Sequence, residues 1–256
     1  CVAGATMAVR IATNADEFLA RADGQRTPVV VLSGDEEAQF GLESVMLDPL
    51  FEAHPRVSVI DPGGHSTELT TAERADGAFE VVFRRSHPIG ALGLREGPMG
   101  TDSPDRGARL RAVVEIDKAI GALSEPGGVA VALGATPTNL VSIRNELGSL
   151  VEGPQSVTGR PHPQPPPRED DPLRGEGASV HGQWLDYEEV SRAVGWMCEL
   201  TEAERRELPG LERGREKTIH IGALILERFL GALHLEGCFV STRGWRHAML
   251  DRDTYF

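Results

Sequence analysis

Arg56-Val57-Ser58-Val59-Ile60-Asp61-Pro62-Gly63-Gly64-His65-Ser66-Thr67-Glu68 is the stretch on which the fold turns. RVSVID (56–61) reads as a short buried strand, carried by Val57, Val59 and Ile60. It stops at a carboxylate and breaks into the turn PGGHS. A carboxylate at the end of a buried strand can hold Mg2+, directly or through water. Gly63 and Gly64 let the backbone approach phosphate oxygens with no Cβ in the way. Ser66 and Thr67 can donate hydroxyl hydrogen bonds to the same oxygens. An ordinary Gly-rich turn would look the same. The stretch is not a Walker A loop, because GxxxxGK is absent. It is not a nucleophile elbow, because GxSxG is absent.

Outward from this turn, strands and helices alternate. TPVVVL (27–32) reads as a buried strand running into the helix SGDEEAQFGLESVML (33–47). STELTTAE and AFEVVFRR flank Ala75-Asp76-Gly77, a hairpin signal. RLRAVVEIDKAIGAL (109–123) is an amphipathic helix, and GVAVALG (128–134) is another buried strand, ending in the turn ATPT. Further helices are expected at 187–200, 202–208, 219–233 and 245–252, with a last strand at CFVST (238–242). Near the start, VAGAT (2–6) reads as a buried strand, and Asn14 as the N-cap of the helix ADEFLARA. The opening inside a strand, with no initiator Met, reads as a start partway through a gene product. Residues 153–178, centred on PHPQPPPRED, are rich in Pro, Gly and charge and read as a flexible insertion. The expectation is an α/β protein with a mixed sheet flanked by helices.

Three strands thus end in turns of small or hydroxylic residues: LSGDE, DPGGHST and LGATPT. Ligands of α/β sheets often sit at such strand ends, and converging turns would make a cradle of backbone N–H groups. In the first turn, Ser33 and Glu36 have capping-box spacing, so Glu36 has a structural task. Glu37 is then free to orient and deprotonate a water, unless both acids only complement the helix dipole. Gly134-Ala135-Thr136 could approach a phosphate or be a plain strand-to-helix turn. Arg10 could clamp phosphate oxygens or form a structural ion pair.

Composition limits the function classes. Apolar residues make up 40 % of the 256 residues and charged residues 25 %, as in a globular protein. No run approaches the length of a membrane span, and the first residues show no signal peptide. The net charge of −13 argues against a nucleic-acid surface. The same charge would repel a polyanion at long range, so a phosphate site needs local positive groups. Cys1, Cys198 and Cys238 are scattered, with no CxxC, HxxxH or HExxH. A disulfide framework and structural zinc are therefore not expected, and a reducing cytoplasm is the default.

Taken in order, the motifs resemble the exopolyphosphatase / guanosine pentaphosphate phosphohydrolase (Ppx/GppA) family. ATMAVRIATNADEFLARA (5–22) resembles its AT-x-A-x-R-x-A-x-N segment, and VLSGDEEAQF (31–40) its S-G-x-E-E-A segment. VIDPGGHSTEL (59–69) resembles the D-I-G-G-G-S-T-E-L phosphate loop, and HPIGALGLRE (87–96) the P-x-G-A-x-x-L segment. VALGATPTNL (131–140) resembles the G-G-T-x-T-x-L turn, and VHGQWLDYEEV, ELPGLERGR, IGALIL and VSTRGWRHAML follow in register.

The resemblance implies an actin-like fold built from ribonuclease-H-like domains. Residues 1–42 would be the end of a first domain and 43–256 the second. It implies Mg2+-dependent hydrolysis of a terminal phosphoryl group of polyphosphate or guanosine penta/tetraphosphate, and it is compatible with a homodimer. By the same resemblance, Glu37 is the water-activating base, and Asp61 and Glu68 organise metal and water. Gly63, Gly64, Ser66 and Thr67 belong to the second phosphate loop, Gly134 and Thr136 to a third turn, and Arg10 contacts phosphate.

This sequence departs from the family pattern in several places. The amino-terminal D-x-G-S-N-S loop would lie upstream of residue 1. Pro62 replaces an Ile and has no N–H to donate. His65 and Ala135 replace glycines, and Lys217 and His247 stand where acids are usual. An inactive fragment or a diverged nucleotide- or polyphosphate-binding relative is the alternative. An actin-like ATPase or sugar kinase ranks below both, because it would not carry the Glu at the Ser33–Glu37 helix start.

Overall fold

A computed structural model describes residues 3–75, 78–100, 102–123, 128–150 and 179–251. The expected insertion at 153–178 lies outside these residues, as does Cys1.

The large sheet has six strands in the order β5-β4-β3-β6-β8-β7. Strand β3 (Arg56–Pro62) continues antiparallel into β4 (Thr67–Ala75) and β5 (Ala78–His87). On its other side β3 runs parallel to β6 (Val129–Ala132), which runs parallel to β8 (Gly237–Val240). The edge strand β7 (Trp184–Asp186) is antiparallel to β8. This is the mixed, helix-flanked sheet expected for an actin-like fold.

Alternation explains why the central strands are mainly apolar on both faces, the exception being Ser58, buried with its hydroxyl 2.7 Å from that of Thr71. Val57, Val59, Val131 and Leu133 point to one face, where Leu42 and Val45 of helix α3 (Gly34–Met46) cover them. Ile60, Ala130 and Ala132 point to the other, beneath α5 (Arg106–Ile120), α6 (Ala135–Leu147), α7 (Tyr187–Glu199) and α9 (Ile219–Ala232). Each side chain leaves water whichever way it points, so no polar alternation is needed. The division at residue 42 falls inside α3.

A parallel pair, β1 (Ala3–Ala5) and β2 (Val29–Val31), forms a separate two-stranded sheet. These strands are only half-buried, with Val30 exposed; the expected burial is reached at Leu32. Leu32 packs with Phe40 of α3 and with Ala248 and Met249 of α10 (Trp245–Asp251).

Two local readings are corrected, and two elements are added that the sequence did not suggest. Met7–Ile11 is a short helix, α1, before α2 (Ala15–Gly24). Asn14, between them, makes no side-chain cap hydrogen bond; only its backbone carbonyl serves the helix, accepting from Phe18. ATPT is not a turn before a helix but the first turn of α6 itself. The strand β7 was not foreseen, because three residues carry no period; Trp184 stacks edge-on against Phe239, 5.0 Å between centroids.

Behind the sheet, His220 at the start of α9 is buried, and its Nδ1 has no partner among the described residues. Burial, reinforced by the nearby Arg205 and Arg95 charges, pushes its pKa down to about 3 from an ordinary 6.5. Below pH 6.5 the unfolded chain binds a proton that the folded chain refuses until about pH 3. Stability therefore falls as pH drops through that window, by about 1.5 kcal/mol between pH 6.5 and 5 from this residue alone. Urea denaturation at the two pH values should show this loss shrinking in His220→Phe. An unchanged pH dependence would refute the assignment.

Candidate active site

The site grows from the ladder that the opening stretch dictates. Asp61 on β3 lies directly across from Glu68 on β4, and Glu68 directly across from Ser86 on β5. Glu68 is buried and accepts a hydrogen bond from Ser86 Oγ at 2.7 Å. Burial pushes its pKa up to about 7; the Ser86 and Ser66 hydroxyls pull it down, while Glu37 and Asp61 push it further up. Asp61 rises to about 6, mainly by burial, then by the Glu37 charge, with Arg246 opposing.

Helix α3 brings Glu37 to the same place. Its capping box is complete: Ser33 Oγ accepts from the Glu36 N–H, and the Glu36 carboxylate accepts from the Ser33 N–H at 2.7 Å. Glu36 is thus turned outward and exposed, and those bonds hold its pKa low. Glu37, one position on, faces inward. Burial raises its pKa, while hydrogen bonds from Arg10 and Thr6 restrain the rise. Gly34 permits the approach, since a Cβ there would lie 2.6 Å from Ser86 Cβ.

The remaining expected residues divide. Gly134, at φ +82°, caps α6, and a Cβ there would stand 2.8 Å from Asp61 Oδ1. Both its backbone angle and its closeness to that carboxylate require glycine. Gly63 closes the loop by donating to the Ser66 carbonyl at 2.9 Å. The carbonyls of Gly63 and Gly64 accept from Ala91 and Leu92, so the loop is held by the first turn of α4 (Ala91–Glu96). Arg10 does not extend free: Nη1 is 2.8 Å from Glu37 Oε2 and also donates to the Leu32 carbonyl. Thr67 is fully buried, its hydroxyl donating to the Ile89 carbonyl at 2.7 Å. The Thr136 side chain lies over Gly222 of α9. His65 turns toward α4, with Nε2 3.8 Å from Glu96 Oε2.

Sequence reasoning missed Ser86, Thr6 and Gly90. Gly90 packs its α-carbon on the Gly64–His65 peptide, where any Cβ would collide with backbone. The Gly in HPIGAL was the available signal. Thr6 stands in the AT-x-A-x-R segment, which was its signal; Ser86 gave none, because its partner is distant in sequence.

The sequence matches the model of the Ppx/GppA phosphatase family over residues 1–255. This chain belongs to the Ppx/GppA family. Among solved structures it is similar to the Aquifex aeolicus family member, at 25 % identity and TM-score 0.72, over 96 % of this chain and 71 % of that one. It also resembles an exopolyphosphatase-like protein (21 %, TM-score 0.78, 96 % and 75 % covered). An exopolyphosphatase from Cytophaga hutchinsonii is similar too (18 %, TM-score 0.77, 98 % and 73 % covered). The last two likenesses speak to the fold alone. Membership makes this a chain of a phosphatase family with the actin-like fold. Among the described residues no helix is long and apolar enough to cross a membrane.

The site suits Mg2+. Among the described residues no three His, Cys, Asp or Glu side chains are grouped closely enough to hold a metal by themselves. Mg2+ seldom asks for that: it keeps waters and binds through one or two carboxylates and substrate phosphates. Asp61 and Glu68 face each other across one ladder. Burial raises both, so a bound cation would relieve an existing electrostatic cost.

Proposed function

We propose that this protein hydrolyses the terminal phosphoanhydride bond of inorganic polyphosphate or guanosine pentaphosphate. The observation that carries the reading is the separation of two adjacent acids. Glu36 is locked outward in a capping box, while Glu37 faces inward on Arg10, near enough to Asp61 and Glu68 for its charge to raise the pKa of both. A base is useful where its basicity is raised toward neutral pH, and burial raises Glu37.

In this reading Glu37 orients a water and accepts its proton as the water oxygen attacks the terminal phosphorus. The bridging P–O bond breaks, and the electron pair leaves with the shortened chain. The products are orthophosphate and a polyphosphate one unit shorter, or guanosine tetraphosphate. Asp61 and Glu68 would hold Mg2+, which supplies charge neutralisation at the phosphoryl oxygens. The backbone of residues 63–66 and the amino end of α6 receive the phosphates, with Gly134 keeping Asp61 unobstructed. Little covalent work falls to the protein, because phosphoryl transfer depends mainly on positioning and charge.

The alternative, a binding relative without turnover, draws on Pro62, which removes one amide from the loop. Phosphate release by the full-length protein from polyphosphate and guanosine pentaphosphate decides between them. Release should require Mg2+, stop on chelation and return when Mg2+ is added back. Binding of either compound with no release would favour the alternative.

A further inference from the structure

The phosphate reading leaves an electrostatic deficit. The chain carries −13, and Glu37, Asp61 and Glu68 share one site. Arg10, the cation expected there, has its Nη1 committed to Glu37 and to the Leu32 carbonyl, so its charge is already offset by that acid. A phosphate chain needs another cation.

Topology shows where to look. Strands β3, β6 and β8 are parallel neighbours. Their order persists beyond their ends, with Leu133 N–H donating to the Ile60 carbonyl at 2.9 Å and Ser241 N–H to the Ala132 carbonyl at 3.0 Å. The segments leaving these strands, residues 61–66, 133–136 and 241–246, therefore open on one edge of the sheet. The first two carry Asp61 and Gly134; the third leads into α10. Trp245 fixes the start of that helix, because its ring fills the space where a side chain at Gly4 would stand, 2.7 Å from the would-be Cβ. Ala248 and Met249 bury the inner face of α10 against Leu32 and Phe40. Arg246 is left exposed beside the Trp245 ring, with Cζ 5.8 Å from its centroid. Its guanidinium is near enough to Asp61 to favour the ionised carboxylate. Trp245 thus anchors, and Arg246 extends from, the same sheet edge on which Asp61 and Gly134 lie.

We propose that Arg246 is a substrate-binding residue that grips the phosphate chain next to the scissile bond. This rests on the reading that the site takes a phosphoanhydride. A guanidinium suits the task, since its planar fork meets two phosphoryl oxygens at once, whereas an ammonium offers a point charge.

The test is calorimetric titration of inorganic tripolyphosphate, with Mg2+, into full-length protein carrying Glu37→Gln to prevent turnover. Adding Arg246→Gln should weaken binding about 10- to 100-fold, the loss of one charge-assisted contact. Arg246→Lys should recover part of it. With Glu37 intact, Arg246→Gln should raise KM by a similar factor and change kcat only a few-fold. Affinity within twofold of the parent would overturn the proposal, as would a fall in kcat at constant KM. If tripolyphosphate binds, Arg246 matters and yet wild-type protein releases no phosphate, the hydrolase reading fails while this one stands. If the parent does not bind tripolyphosphate, both fall.

Discussion

Glu37→Gln in the full-length protein is expected to lower phosphate release about 10²- to 10⁴-fold, the usual contribution of a positioned general base. Glu36→Gln should leave the rate nearly unchanged. The two acids are adjacent and chemically identical, so the contrast tests position alone. Stability should reverse the order. Burial raises the pKa of Glu37, so the fold disfavours its charge, and a neutral Gln of the same shape should leave the melting temperature where it was or slightly above. Glu36 has its pKa lowered by the Ser33 N–H and hydroxyl, so the fold favours its charge. Gln at this position can still accept from the Ser33 N–H, so only the negative charge at the helix start is lost, at a cost of about 0.3–1 kcal/mol. Phosphate release from both substrates, beside a thermal melt of each variant, reads both effects. Near-parental turnover by Glu37→Gln would remove the base from the mechanism.

The largest expected loss of stability lies elsewhere, at Arg205→Met. Arg205 is 2 % exposed and occupies the centre of a knot of acceptors. Its Nε donates to the Glu216 carbonyl at 2.7 Å and Nη1 to the Met197 carbonyl at 3.0 Å and the Leu200 carbonyl. Nη2 completes an ion pair with Asp102 at 3.1 Å. Arg205 thus closes the carboxyl end of α7, joins it to the loop before α9, and reaches the segment before α5. Methionine keeps the stem and leaves those acceptors without donors. Leaving three backbone carbonyls without their donor costs about 1–3 kcal/mol each before relaxation, on the order of several kcal/mol in all. For a domain of this size that is on the order of 10 °C in Tm. Arg206, the next residue, is 53 % exposed and pairs at 3.2 Å with Glu216 and 3.4 Å with Glu202. Arg206→Gln should cost less than about 1 kcal/mol, as exposed pairs do. Equal shifts for the two variants would show that the knot does not hold the fold.

Local rules made several features legible in the sequence alone. The capping box at Ser33 and Glu36 needs only the chain's own geometry, and it formed as spaced. The hairpin signal at Ala75-Asp76-Gly77 announced an antiparallel pair, which β4 and β5 form on either side of residues 76–77; that Glu68 lies opposite Ser86 came from the register alone. The run 56–61 formed the central strand β3, which extends one residue further, to Pro62. Family motifs in order carried the rest of the fold, since each lies on an element whose type its own residues determine.

Only the tertiary structure decided what each side chain touches. Arg10 and Thr67 have the chemistry of phosphate ligands. Yet Arg10 is drawn to Glu37, 27 residues on by their numbering, and Thr67 to the Ile89 carbonyl. A donor within reach of a buried acceptor will satisfy it, because an unpaired buried polar group costs more than a lost contact with water. Sequence cannot show that competition, since it is settled between strands and helices far apart in the chain. The same holds for Arg246, eight residues beyond Cys238 of β8 and unremarkable in the motif that contains it. It shares a sheet edge with Asp61 only because β3, β6 and β8 lie side by side, so that three distant segments end there.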